Sequence, residues 1–332
     1  MSKGYKIRYD RIMAVLFAFA VSIILLIISF KNSKAENDEF ISSEVQAESS
    51  TVCTSFISEE TTVTTQPVSI PIIEYPECRA SAFYSVDEKC IIYSDNIDAK
   101  IAPASLTKLL TASVALKYVD KDIVFTVGSE QWLVQPYSSL CYLQIGNMLT
   151  LEDLITGMLI ASGNDAAYTI AVSVARELNP DTYMTDDEAV QYFCELMNEF
   201  ACNIGMRDSK FVTPDGWDDD EQYTTVSDLI KLTEYVFSVP EIREITGTFQ
   251  RNVTIYSGEE FTWTNSNLLL DPYSDYYCEY AVGMKTGTTL NAGNNLIAVF
   301  QKNERIYISI VTGCQSDTDR YELTLMLLSF SE

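Results

Sequence analysis

Ser105 and Lys108 stand three residues apart in "IAPASLTKLLTA", and the 332-residue chain contains no histidine. On a helix this spacing puts a hydroxyl and an amine on one face, within side-chain reach. Such a pair suits nucleophilic catalysis, with the serine attacking and the amine, once neutral, taking its proton. A free lysine keeps its proton up to a pKa of about 10.4, so the base role requires burial or a second positive charge nearby. Pro103 just ahead suits a helix start, where free backbone N–H groups favour a developing alkoxide. An N-cap serine and a surface lysine fit the same residues.

Two further stretches could complete such a site. Ser162-Gly163-Asn164 lies between two apolar-periodic segments; its hydroxyl could relay a proton and its amide could hold a carbonyl, although these residues also serve as helix caps. Lys285-Thr286-Gly287-Thr288 follows the apolar run "YAVGM". A glycine at a strand edge lets another backbone approach closely, and such an edge can pair with an extended peptide. A plain strand end and its turn would look the same.

The elements that must bring these stretches together are legible as a change of period. "RASAFYSV" and "KCIIYS" flank Asp87-Glu88 and predict a strand hairpin. Residues 105–119 predict a helix with Leu106, Leu109, Leu110 and Leu116 on its buried side. "LEDLITGMLI", "NDAAYTIAVSVARE", "DDEAVQYFCELMNEFACNIG" and "VSDLIKLTEYVF" predict more helices. The period then falls towards two in "FQRNVTIYS", "EFTWTN", "YAVGMKTG", "NNLIAVFQ" and "RIYISIVTG", before "DRYELTLMLLSF" closes as a helix. A hairpin, a block of helices, several strands and a last helix suit a mainly antiparallel sheet with flanking helices and an inserted helical lobe.

Composition narrows the function classes. The formal charge is −25, and no basic patch follows the first residues, so nucleic acid is excluded as a partner. The eight cysteines include no C-x-x-C pair, and without histidine they do not make a zinc site. Their even number permits disulfides or buried free thiols alike. The segment 12–30, "IMAVLFAFAVSIILLIISF", is uncharged and follows Lys3, Lys6, Arg8 and Arg11. It is long enough to cross a bilayer, with a cytoplasmic N-terminus and the bulk of the chain outside. A cleaved signal peptide ending near Ser33-Lys34-Ala35 is the alternative. Residues 31–75, rich in Ser, Thr and Glu, are expected to form a solvated tether, leaving residues 76–332 as the catalytic domain.

The three stretches, in this order, resemble the low-molecular-mass penicillin-binding proteins, specifically the D-alanyl-D-alanine carboxypeptidases. "PASLTKLLTA", "LTLEDLITGMLIASGNDAAYTIAVSVA", "MNEFACNIGMRDSKFVTPDGW", "TTVSDLIKL", "FTWTNSNLLL" and "GMKTGTT" extend the likeness from about Arg79 to the C-terminus. The resemblance implies a β-lactamase/transpeptidase-like fold, α/β of the α+β type. It implies that Ser105 attacks the carbonyl between the two D-Ala residues of a peptidoglycan stem peptide, with Lys108 as base and Lys285 supplying the charge that depresses it. Ser162 would relay the proton to the leaving amine and Asn164 would hold the substrate amide. The N–H groups of Ser105 and Thr288 would form the oxyanion hole. Lys285, Thr286 and Thr288, on the strand that carries Gly287, would receive the terminal carboxylate. β-Lactams would inhibit by forming a slow acyl-serine, and no metal or organic cofactor is implied.

The sequence departs from that pattern. Asp215 stands where relatives often carry His, so any local role of that imidazole is lost. The chain ends soon after the last helix, where a second β-rich domain and an amphipathic C-terminal anchor are common in the family; the N-terminal segment is expected to anchor instead. Two rivals share the motifs. A class A-like β-lactamase would need a deacylating glutamate, for which Glu199 and Asn203 have E-x-x-x-N spacing although their segment has helical period. A non-catalytic β-lactam or peptidoglycan-binding module would acylate without turnover.

Overall fold

The computed structural model describes residues 76–331. The expected membrane segment 12–30, the tether 31–75 and Cys53 lie outside the described residues. Among the described residues, no helix is long and apolar enough to cross a membrane.

In chain order the strands are β1 (Ala80–Ser85), β2 (Cys90–Asp95), β3 (Val124–Thr126), β4 (Met148–Thr150), β5 (Gln250–Thr254), β6 (Glu260–Thr264), β7 (Ala281–Thr289), β8 (Gly293–Lys302) and β9 (Arg305–Cys314). The helices are α1 (Thr107–Tyr118), α2 (Leu151–Ile160), α3 (Asn164–Leu178), α4 (Asp186–Asn203), α5 (Val226–Ser238), α6 (Pro240–Thr246) and α7 (Asp317–Leu328). The main sheet runs β2-β1-β9-β8-β7, and every neighbouring pair is antiparallel.

Strand pleating explains how β8 and β9 are buried on both faces. Side chains alternate along a strand, so Leu296, Ala298 and Phe300 of β8 pack with Tyr321, Leu323 and Leu327 of α7. Their neighbours Ile297 and Val299 join the larger core formed with the helical lobe. In β9, Tyr307 and Val311 face α7 while Ile308 and Ile310 face the lobe. A sheet covered twice needs apolar residues at every position, which is why "NNLIAVFQ" and "RIYISIVTG" read as nearly continuous apolar runs.

Helix α1 runs through the middle of the lobe, and its residues Thr107 to Ala115 are all buried. This explains why "TKLLTASVA" lacks a polar face: it packs all round. The expected helices and strands are all present. Three short elements go beyond the expectation. β3 and β4 form a two-stranded sheet of three-residue strands, and α6 follows α5 with Pro240 in its first turn. β5 and β6 pair with each other in a separate hairpin rather than extending the main sheet.

A disulfide joins Cys78, just ahead of β1, to Cys314 at the end of β9. The neighbouring antiparallel strands bring the two residues together. Cys141, Cys194 and Cys278 are buried free thiols, and Cys90 and Cys202 are exposed ones.

Candidate active site

Ser105 lies in a single 3-10 turn, Ala104–Leu106, that leads into α1, so the helix proper starts two residues later than expected. The turn is strained and pinned. Ala104 has φ +50°, a left-handed backbone that costs a non-glycine residue about 1–2 kcal/mol. Asn295 of β8 holds the turn against the sheet, donating from Nδ2 to the carbonyls of Ala102 at 3.2 Å and Pro103 at 3.3 Å. On another side Gly216, with φ +88°, approaches so closely that a Cβ there would lie 1.8 Å from the Ala104 carbonyl oxygen. Strand β7 passes the nucleophile at Gly287, where a Cβ would lie 3.0 Å from the Ser105 nitrogen.

Lys108 has no solvent exposure. Its Nζ donates to Ser105 Oγ at 2.7 Å, to Asn164 Oδ1 at 2.7 Å and to the Asp215 carbonyl at 2.9 Å. Burial lowers its pKa from 10.5 to about 8, against the opposing charges of Asp215, Asp165 and Cys141. These partners decide what the neutral amine does. It keeps two N–H donors and gains one lone pair. Asn164 Oδ1 and the Asp215 carbonyl can only accept, so they take the N–H groups. The remaining partner, Ser105 Oγ–H, can donate, and the lone pair is left facing it.

Lys285 is also buried, with its Nζ donating to the Thr286 carbonyl at 3.0 Å. Burial first, then repulsion from Lys108 and Arg320, holds its pKa well below the ordinary lysine range. Burial is the leading cause at both lysines, and repulsion between the Lys108 and Lys285 amines adds to it at Lys285.

The remaining expected residues divide. Asn164, at the start of α3, is buried and bonded directly to Lys108. Ser162, two residues earlier, is buried with φ +59°, and no hydrogen bond joins its hydroxyl to Ser105 or Lys108. Thr286 Oγ1 shares a 2.6 Å hydrogen bond with Ser266 Oγ. Thr288 is exposed at the mouth of a cleft of about 80 Å³, lined also by Ser105, Asn164, Asp215 and Trp217. Glu199 and Asn203 are exposed residues of α4 and do not line this cleft.

Three site residues carried no signal in the sequence that named a role. Asn295 pins the nucleophile's turn. Asp215 is buried, and its Oδ2 accepts from Asn164 Nδ2 at 2.6 Å. Arg320 of α7 is buried; its Nη1 donates to Thr288 Oγ1 at 3.2 Å and its Nη2 pairs with Asp317. Its Nε has no hydrogen-bond partner. Among the described residues, no cluster of three or more His, Cys, Asp or Glu is placed to hold a metal ion.

Comparison with known proteins places the chain in a family and identifies its fold. The sequence profile of the family described as D-alanyl-D-alanine carboxypeptidase matches residues 71–316. The chain is 29% identical over 282 residues to D-alanyl-D-alanine carboxypeptidase DacC of Escherichia coli, covering 78% of this chain and 62% of that protein. It is 24% identical over 258 residues to DacF of Bacillus subtilis, covering 77% of this chain and again 62% of the relative. The chain therefore spans somewhat less than two thirds of these relatives' length. Among solved structures, the Streptomyces K15 DD-transpeptidase superposes with a TM-score of 0.68 at 24% identity, covering 78% of this chain and 98% of that one. That likeness supports the β-lactamase/transpeptidase-like fold with its antiparallel sheet.

Proposed function

This chain belongs to the D-alanyl-D-alanine carboxypeptidase family, and we propose that it is a serine peptidase that removes the terminal D-Ala from peptidoglycan stem peptides. The observation that carries this reading is the set of partners around Lys108: two obligate acceptors and the Ser105 hydroxyl. Ser105 attacks the carbonyl between the two D-Ala residues while Lys108 takes its proton. The tetrahedral oxyanion sits between the N–H groups of Ser105 and Thr288, each worth about 3–4 kcal/mol to the transition state. The C–N bond breaks, the last D-Ala leaves with a proton that reaches its amine through Ser162, and water hydrolyses the acyl-serine.

The substrate lies along β7 as an added strand, its amide held by Asn164 and its carboxylate received by Lys285, Thr286 and Thr288. Arg320 joins this group, because its buried guanidinium reaches Thr288 and keeps an unpartnered Nε. A β-lactam presents a strained amide and a carboxylate at similar places and acylates Ser105. No metal or organic cofactor takes part in this scheme. The uncharged segment 12–30, flanked by Lys3, Lys6, Arg8 and Arg11, serves as a membrane anchor. Residues 31–75 are the tether, and the catalytic domain from residue 76 lies outside the membrane. The test is release of D-Ala from a D-Ala-D-Ala peptide by the purified protein. Release with slow penicillin turnover is expected. Penicillin labelling without release would favour a binding module, and rapid penicillin hydrolysis a β-lactamase.

A further inference from the structure

We propose that the Asp215 carboxylate is a positioning residue that locks the Asn164 amide with its oxygen towards Lys108 and so aims the lysine lone pair at Ser105. This rests on the reading above that Lys108 activates Ser105. The geometry is specific. Asp215 Oδ2 accepts from Asn164 Nδ2 at 2.6 Å, while Asn164 Oδ1 accepts from Lys108 at 2.7 Å. An amide can turn over and exchange its donor and acceptor ends, but an ionised carboxylate cannot donate. With Asp215 at one end, only the Nδ2 end can face it, and Oδ1 must face the lysine.

The carboxylate is itself held in place. Asp215 Oδ1 accepts from the Trp217 N–H at 3.0 Å, inside a loop turned by Gly216. The residue's backbone carbonyl is Lys108's third partner. One residue therefore fixes two of the three groups around the amine, one through its main chain and one through Asn164. Nearby Asp165 does something different: its carboxylate accepts from the N–H groups of Cys141 and Leu143, each at 3.0 Å, and holds their loop.

The same carboxylate also acts by charge. Lys108 is faced by Asp215 from the 211–225 loop, Asp165 from α3, Cys141 from the loop before β4 and, across the site, Lys285 from β7. Tyr168 of α3 and Cys194 and Asp187 of α4 share that neighbourhood. Asp215 is the leading group that favours the charged lysine. Removing its charge while keeping its shape therefore makes Lys108 easier to deprotonate, although the amide that aims it is no longer locked.

These two effects separate a positioning role from a structural one. The full chain is made with [13Cε]-lysine, and the Lys108 signal, assigned by its loss in Lys108→Arg, is titrated in wild type and Asp215→Asn. The midpoint is expected to fall by about one pH unit in the variant, the scale of a single nearby charge. In parallel, the rate of benzylpenicillin acylation is followed against pH. Its acid limb should move down with the midpoint while its alkaline plateau falls ~10-fold, since misaimed groups lose rate even when correctly charged. Loss of plateau with an unmoved midpoint would reduce Asp215 to a structural residue and overturn the proposal, as would unchanged values of both. If Asp215→Asn fails to fold, Asp215→Ser, whose hydroxyl is neutral throughout and can donate as well as accept, is read the same way. The lysine titration needs no turnover. A wild-type protein that shows the midpoint shift on substitution but releases no D-Ala would sink the assigned reaction and leave the placement of Asp215 intact.

Discussion

Lys108 Nζ lies 2.7 Å from Ser105 Oγ, and the lysine is completely shielded from solvent. Burying a charged amine is costly, and the cost is reduced when the amine gives up a proton. In the proposed mechanism a desolvated lysine takes the place of an imidazole base. Ser105 and Lys108 are held together by the turn that joins Ala104 to α1, and that turn is pinned from the sheet by Asn295.

Ser105→Ala is expected to abolish both penicillin labelling and D-Ala release. The removed atom is one small hydroxyl on a half-buried residue, so the melting temperature should stay near that of the parent. Mass spectrometry of the penicillin-treated variant checks this, and an adduct at another serine would contradict the assignment.

Gly287→Ala should separate catalysis from folding. Its backbone is ordinary strand, so the domain should fold. The new methyl would crowd the Ser105 and Leu106 nitrogens, at 3.0 and 3.2 Å, and Ala104 Cβ at 3.1 Å. Displacing an oxyanion donor costs about 100-fold or more in rate. Stopped-flow acylation by a chromogenic β-lactam reads this, and a near-parental rate would mean that β7 does not frame the oxyanion.

Arg320→Ala should raise KM for a peptide ending in a free carboxylate about 10-fold or more, the scale of one charge-assisted hydrogen bond. A peptide amide, which lacks that charge, should lose much less. Equal losses on both peptides would show that Arg320 supports Thr288 without meeting the substrate.

Opening the disulfide by Cys78→Ser should lower stability by about 2–4 kcal/mol, because the bridge closes a loop of 236 residues and restricts the unfolded chain. Thermal unfolding without reductant checks this. An unchanged melting temperature would show that the antiparallel β1–β9 pairing holds the strand unaided.

The architecture was legible because period and order both carry information. The change from helical to alternating spacing after "VSDLIKLTEYVF" marks the passage from lobe to sheet, and both lie where expected. β3 and β4 were missed because three-residue strands are too short to display a period. The start of α1 was displaced because Ala104 adopts a positive φ, which local residue preference does not favour. Spacing and family likeness single out Ser105, Lys108, Asn164 and the Lys285–Thr288 strand, and the structure joins Ser105 and Asn164 through Lys108. The roles of Asp215 and Arg320 were not legible in this way, because they depend on contacts with residues 51 and 32 positions away in sequence. In sequence Asp215 registers as the loss of a histidine, whereas its buried carboxylate engages Asn164. The class A-like alternative loses its support for a similar reason: Glu199 and Asn203 keep their spacing on an exposed face of α4, away from the cleft.

The most direct test of the account is the pH dependence of Ser105 acylation, measured with benzylpenicillin in the parent and in Lys108→Ala. Lys108 acts only when neutral, so the parental rate should fall about tenfold per pH unit below a midpoint near 8 and level off above it. The alanine variant, folded by circular dichroism, should lose acylation at every pH. A variant that still acylates at near parental rate, or a parental rate indifferent to pH between 6 and 9, would show that some other group takes the serine proton.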